Sequence, residues 1–170
     1  MTSLRRAETS GLYAIQRSLA APRVVAGARA LSHVGEHALG WLTVGGIGIA
    51  ASRGQRRRDW IRATQSVLVA HATAVLVKRV VRRARPDDAR IRVFVSTPSQ
   101  LSFPSAHVAS TTAAAVAYGP LLALGRAVPA SVAATMAGSR LVLGVHFPSD
   151  VAIGVMVGGA VAVSIRRVRT

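Results

Sequence analysis

Apolar residues fill this chain in long runs, and short basic clusters separate the runs. The first run extends from about Gly35 to Ala51 and opens on Glu36 and His37. The others are Ile61 to Val81, Ser105 to Gly125, Ala127 to Leu143 and Pro148 to Arg166. A helix needs about 20 residues to cross a bilayer core, and each run approaches that length with its polar end turns. The pattern predicts an all-α, polytopic membrane helical bundle with about five transmembrane helices. Arg53, Arg56, Arg57, Arg58 and Asp59 read as a charged turn, Trp60 as an interface anchor and Val93–Ser102 as a loop. Arg166, Arg167 and Arg169 close the last span.

Ahead of these runs, Leu4, Leu12, Ile15 and Leu19 recur at roughly helical spacing among Arg5, Arg6, Arg17, Arg23 and Arg29, and Pro22 divides the stretch. Residues 1–34 are thus expected to be an amphipathic interfacial segment of one or two helices, with arginines reaching for anionic lipid headgroups. Residues 35–170 are expected to form the membrane domain. Gly45, Gly46 and Gly48 in the first span, and the Gly154/Gly158 pair in the last, favour close helix packing.

Composition sharpens this picture. The 170 residues suit one domain, 51% are hydrophobic, and the net charge is nonetheless +16. Basic residues wedged between apolar spans fit a membrane protein better than a nucleic-acid binder. Aromatics at 4% leave few platforms for stacked bases. The absence of cysteine excludes disulfides and thiolate chemistry. His33, Glu36 and His37 invite a metal reading, but no third ligand lies near them in sequence, and a structural cluster at the interface is the better account. His71, in the middle of the second span, reads as a packed histidine.

Polar residues that interrupt an apolar setting need partners. Counting spans by alternation puts Lys78, Arg85, Ser105, His107, Arg140, His146 and Asp150 on one side of the membrane. Lys78 and Arg85 are seven apart, so both can face one point. Pro104 and Ser105 open a helix whose first N–H groups, over Ser105, Ala106 and His107, suit an anion. Asp150 lies one turn beyond His146 and can hold one imidazole nitrogen while the other acts as nucleophile. This set fits a phosphate monoester. Lys78, Arg85 and Arg140 would hold the non-bridging oxygens, and His146 would attack phosphorus to give a phosphohistidine. His107 would protonate the leaving alkoxide and then take a proton from water. No metal or other cofactor is called for. Asp87 and Asp88 read as local charge balance for Arg83, Arg85 and Arg90.

KRVVRRARP (Lys78–Pro86), PSAH (Pro104–His107) and SRLVLGVHFPSD (Ser139–Asp150) resemble the three signature motifs of the type 2 phosphatidic acid phosphatase (PAP2) superfamily, which includes vanadium haloperoxidases. The resemblance implies a PAP2/haloperoxidase-like helical core, metal-independent phosphate-ester hydrolysis and the residue roles just given. One departure is Ala106, where the family usually has glycine. HVGEHALGW and STPSQLSFPSAHVASTTAAAV are similar to actinobacterial members assigned to arabinan precursor synthesis in the cell wall. That similarity implies removal of the 5-phosphate from decaprenylphosphoryl-5-phosphoribose. The competing readings are a broad lipid phosphatase acting on phosphatidate, phosphatidylglycerol phosphate or polyprenyl diphosphate, and a non-enzymatic transport or assembly protein. Short arginine-rich loops opposite the motifs favour a multi-pass protein of the cell membrane with its site at the outer face.

Overall fold

The computed structural model describes residues 3–167, so Arg169 lies outside the described residues. Seven α-helices follow in order: α1 (Ser3–Leu19), α2 (Pro22–Gly35), α3 (Leu39–Ala50), α4 (Gly54–Val81), α5 (Ala106–Leu121), α6 (Ala127–Val142) and α7 (Pro148–Arg167), with a 3-10 turn at Glu36–Ala38 before α3. Among the described residues the only β pairing is an isolated bridge between Ala84 and Leu101, so the all-α expectation holds.

The bundle is built on α4, α5 and α7, with α3 against α4, α6 against α5 and α2 against α6. Small side chains fill the inner faces: Ala63, Ala70 and Ala74 of α4, Ala109, Ala113 and Ala114 of α5, and Ala162 of α7 are all buried. Large apolar side chains point outward instead, among them Leu39, Ile47, Leu68, Leu76 and Val80. That inversion suits helices that meet one another through small residues and meet lipid through large ones.

Among the described residues two helices are long and apolar enough to cross a bilayer, α4 and α7, and only 33% and 28% of their apolar windows are buried. A core helix in water would be largely covered, so these faces need an apolar surrounding. The expected count of about five spans does not survive as five full-length helices. α3, α5 and α6 have 12, 16 and 16 residues, fewer than a full crossing takes. α3 is cut short because His37 and Ala38 adopt left-handed backbone conformations, which no helix continues through. α5 stops soon after Pro120, where Ala123 also has positive φ. α4, by contrast, starts at Gly54, so Arg56–Arg58 and Asp59 are helical rather than a turn. Its 28 residues reach ~42 Å at ~1.5 Å each, leaving the arginine-bearing first turns beyond a ~30 Å hydrocarbon core.

The glycines mark the closest crossings. A Cβ on Gly154 would meet the Ser105 carbonyl oxygen at 2.9 Å, and one on Gly158 would collide with the Ala109 carbonyl oxygen. The small pair on α7 is therefore the seam with α5. Gly45 lies against Thr64 and Tyr118, and Gly48 against Trp60, whereas Gly46 faces open space and plays no part in packing. Gly158→Ala should destabilise the protein by about 1–3 kcal/mol through overpacking, while Gly159→Ala, with nothing within 4 Å, should be nearly neutral. Thermal unfolding of the two variants in detergent checks this, and equal melting temperatures would remove the seam.

Candidate active site

Four helix ends converge at one end of the bundle: the C-termini of α4 and α6 and the N-termini of α5 and α7. Between them lies a cavity of about 510 Å³ whose lining includes Lys78, Arg85, Ala106, His107 and His146. Ser105, Arg140 and Asp150 are buried in its surroundings, at 0%, 1% and 0% exposure, without forming its lining. The structure thus gathers the expected residues at one rim, in two layers.

His146 sits in the turn between α6 and α7. Its Nδ1 lies 3.5 Å from Asp150 Oδ2, in ion-pair range but longer than a well-formed hydrogen bond. Its Nε2 lies 3.4 Å from Arg85 Nη1. Burial, followed by the charges of Arg85, Lys78 and Arg140, holds the imidazole well below its ordinary pKa, so at neutral pH the ring is uncharged and keeps a lone pair to donate. Arg85 spans two loops, donating through Nε to the Ser99 carbonyl at 2.8 Å and through Nη1 to the Val145 carbonyl at 2.6 Å. Burial lowers its pKa to about 10, which still leaves it cationic at neutral pH. Lys78 Nζ donates to the Leu101 carbonyl at 3.0 Å.

Arg140 donates through Nη1 to Ser32 Oγ at 2.8 Å, while its buried Nε has no partner among the described residues. The Ser105 hydroxyl is likewise buried and unpartnered. Such groups are costly unless an anion or dipole faces them. His107 Nε2 lies 3.2 Å from the Ser32 carbonyl. A carbonyl only accepts, so Nε2 carries the hydrogen and Nδ1 is the atom left to exchange a proton. The Ser105 N–H is not available to an anion, because it donates to the Asp150 carbonyl at 3.0 Å. The cradle expected from that helix start therefore rests on Ala106 and His107.

Sequence reasoning missed the supports behind this layer. Arg83 turns inward. It donates to Asp150 Oδ1 at 3.0 Å, to Ser149 Oγ at 2.6 Å and to Glu8 Oε2 at 2.5 Å. Its guanidinium also covers the Phe147 ring, 4.2 Å from the centroid. Glu8 of α1 accepts from the Ser149 N–H at 3.1 Å and the Ser149 hydroxyl at 2.5 Å, placing a carboxylate at the N-terminus of α7, where the helix dipole favours it. Gln16, two turns on, donates to the Arg92 and Val142 carbonyls and accepts from the Arg92 N–H. α1 thus buries Glu8, Thr9, Leu12 and Gln16 and leaves Leu4 and Leu19 outward. Its polar face points into the site's loops. Asp88 pairs with Arg90 at 2.9 Å, while Arg83 and Arg85 find their partners elsewhere. One signal was present: Glu8 is one of only six acidic residues in the chain, and it stands among arginines.

The family model of the PAP2 superfamily matches residues 60–170. The chain belongs to the PAP2 superfamily. Decaprenylphosphoryl-5-phosphoribose phosphatase of Mycobacterium tuberculosis (strain ATCC 25618 / H37Rv) is 52% identical over 157 residues, covering 92% of this chain and 87% of the relative. The protein of the same name from Mycolicibacterium smegmatis is 50% identical over 155 residues, covering 91% and 84%. Among solved structures, a transmembrane PAP2 type phosphatidylglycerolphosphate phosphatase from Bacillus subtilis superposes with a TM-score of 0.77 at 21% identity, over 98% of this chain and 86% of that one. That likeness establishes a shared PAP2 fold.

The Glu8 contact yields a pH prediction. Burial pushes its carboxyl up, but hydrogen bonds from Ser149 and Arg83 outweigh burial and hold it below the ordinary 4.5. The contact therefore stabilises the fold above about pH 4.5 and is lost as pH falls through the lower folded value. Glu8→Gln should cost about 2 kcal/mol at pH 7, and the gap to wild type should close in acid. Melting curves of both proteins from pH 7 to pH 3 measure it; a gap independent of pH contradicts the assignment.

Proposed function

We propose that the chain hydrolyses a phosphate monoester carried by a membrane lipid, and that its substrate is decaprenylphosphoryl-5-phosphoribose, converted to decaprenylphosphoryl ribose and phosphate. The observation that carries the chemistry is the placement of His146. One ring nitrogen is directed at Asp150 and the other lies at the cavity beside Arg85. The relatives' names carry the substrate.

In this reading His146 Nε2 attacks phosphorus and the bond to the sugar's 5-oxygen breaks. The leaving alkoxide takes its proton from Nδ1 of His107, which enters the step as imidazolium once the phosphate dianion lies beside it, and Asp150 steadies the charged imidazole of the phosphohistidine. Water then attacks phosphorus, His107 accepts its proton, and the P–N bond breaks to release phosphate and neutral His146. Lys78, Arg85 and Arg140, with Ser105 and the N–H groups of Ala106 and His107, hold the phosphoryl oxygens and offset their charge through the transition state. Those cations supply the positive charge, so no step calls for a metal ion. The methyl group of Ala106 narrows the cradle without removing its N–H.

The protein is a multi-pass protein of the cell membrane on this view. α3 to α7 traverse the bilayer together as one body, the shorter helices completed by their polar end segments. Residues 1–34 lie along the interface and brace the site, and residues 35–170 form the phosphatase domain. The dense arginines at the start of α4 and the end of α7 face the cytoplasm, which puts the site at the outer face.

Phosphate release by the purified protein should be highest with decaprenylphosphoryl-5-phosphoribose, and lower with phosphatidate, phosphatidylglycerol phosphate and polyprenyl diphosphate. His146→Ala should lower kcat/KM at least about a thousandfold, and His107→Ala should reduce it strongly as well. Vanadate should inhibit the wild type. Equal turnover by wild type and His146→Ala would overturn the enzyme reading and favour a transport or assembly role, while a flat substrate profile would leave a broad lipid phosphatase.

A further inference from the structure

The cavity is larger than a phosphoryl group needs, and the chemistry above occupies only its inner wall. The outer wall brings together Glu36, His37, His71 and Arg79 with the apolar Ala72 and Val75. None of these six has a part in the phosphoryl transfer.

Arg79 is the informative one. It follows Lys78 on α4, and the two differ by about 100° around the helix axis. Lys78 is buried and bonded to the Leu101 carbonyl. Arg79 is exposed at the mouth and makes no hydrogen bond or ion pair among the described residues. Past it, α4 presents Leu76 and Val80 at 61% and 82% exposure, a surface fit for a hydrocarbon chain. Glu36 and His37 reach the cavity through an unusual path. His37 has φ 51° and ψ 22°, and Ala38 φ 59° and ψ 13°. Two consecutive non-glycine residues in the left-handed region are unfavourable and persist only when their surroundings hold them. Here the neighbours are anchored by Trp41 Nε1 donating to Thr111 Oγ1 at 2.9 Å and the Tyr118 hydroxyl donating to the Trp41 carbonyl at 3.0 Å. The His33–Glu36 pair, 3.9 Å apart and exposed, is too weak to keep Glu36 from a ligand.

We propose that this outer wall is a second subsite, in which Arg79 binds the phosphodiester joining sugar to lipid while Glu36 and His37 hydrogen-bond the pentose hydroxyls. The inference rests on the substrate reading above. A diester carries one negative charge, which one guanidinium matches, and the prenyl chain would leave along Leu76 and Val80. Phosphatidate has a single phosphate and no pentose, so it would use the inner wall alone.

The test compares kcat/KM for decaprenylphosphoryl-5-phosphoribose and for phosphatidate, using the detergent-solubilised full chain. Arg79→Gln should lower the ratio of the two about tenfold, chiefly through KM for the sugar substrate, and Arg79→Lys should restore much of it. Glu36→Gln should lower the ratio severalfold. An unchanged ratio in Arg79→Gln, or an equal loss on both substrates, overturns the diester assignment, and an unchanged ratio in Glu36→Gln removes Glu36 from the subsite. Both results leave the function reading intact, provided wild type releases phosphate from the sugar substrate. No release by wild type overturns both.

Discussion

The constraint that shapes this protein is the mutual repulsion of three cations, Lys78, Arg85 and Arg140, gathered out of water at one end of the bundle. In a medium less polar than water that repulsion is strong. The chain offsets it in part by using carbonyl acceptors rather than counter-ions: Leu101 for Lys78, and Ser99 and Val145 for Arg85. The nearby carboxylate of Asp150 is committed to Arg83, the Phe147 N–H and His146. The cations are thus solvated by dipoles without being neutralised. That is the condition in which an anion gains most from entering, and in which the His146 imidazole stays neutral.

The fold follows from this need for precise placement. Helix ends hold Lys78 and Arg140, and Arg85, just past α4, is fixed by its hydrogen bonds to the Ser99 and Val145 carbonyls. The Gly154/Gly158 seam brings α7 against α5 closely enough for the Ser105 N–H to reach the Asp150 carbonyl, so the start of α5 and the helix that carries Asp150 move as one piece. The same seam lies near His107 and Ser110, whose hydroxyl returns to the Ala106 and His107 carbonyls. Packing distance, backbone hydrogen bonding and site geometry are here a single property.

Much of the site was legible in the sequence because polar residues in apolar runs are conspicuous. Lys78, His107, Arg140, His146 and Asp150 each break a hydrophobic pattern, Arg85 was marked by its spacing from Lys78, and alternation along the chain put them on one side. The helices were legible for the same reason, though not their lengths. Where a helix ends depends on local backbone choices, such as the left-handed pair His37–Ala38, that composition does not report. The supports were hidden more deeply. Arg83 looks like any of its neighbours in an arginine run, and Glu8, Gln16 and Ser32 lie in a stretch whose periodicity speaks of lipid. Their roles depend on partners far away in sequence, which periodicity within one helix does not reveal.

The bracing by α1 has a consequence for how the protein is made. Glu8 meets Ser149, 141 positions later, and Gln16 meets Val142, 126 positions later. A contact of that separation forms only after nearly all of the intervening chain exists, and closing so long a loop is slow. α1 must therefore wait for its partners to be synthesised, with Glu8 and Gln16 unpaired until they arrive. The arrival of α7 ends the wait, and the contacts of Glu8 and Gln16 become whole only once that helix has been made.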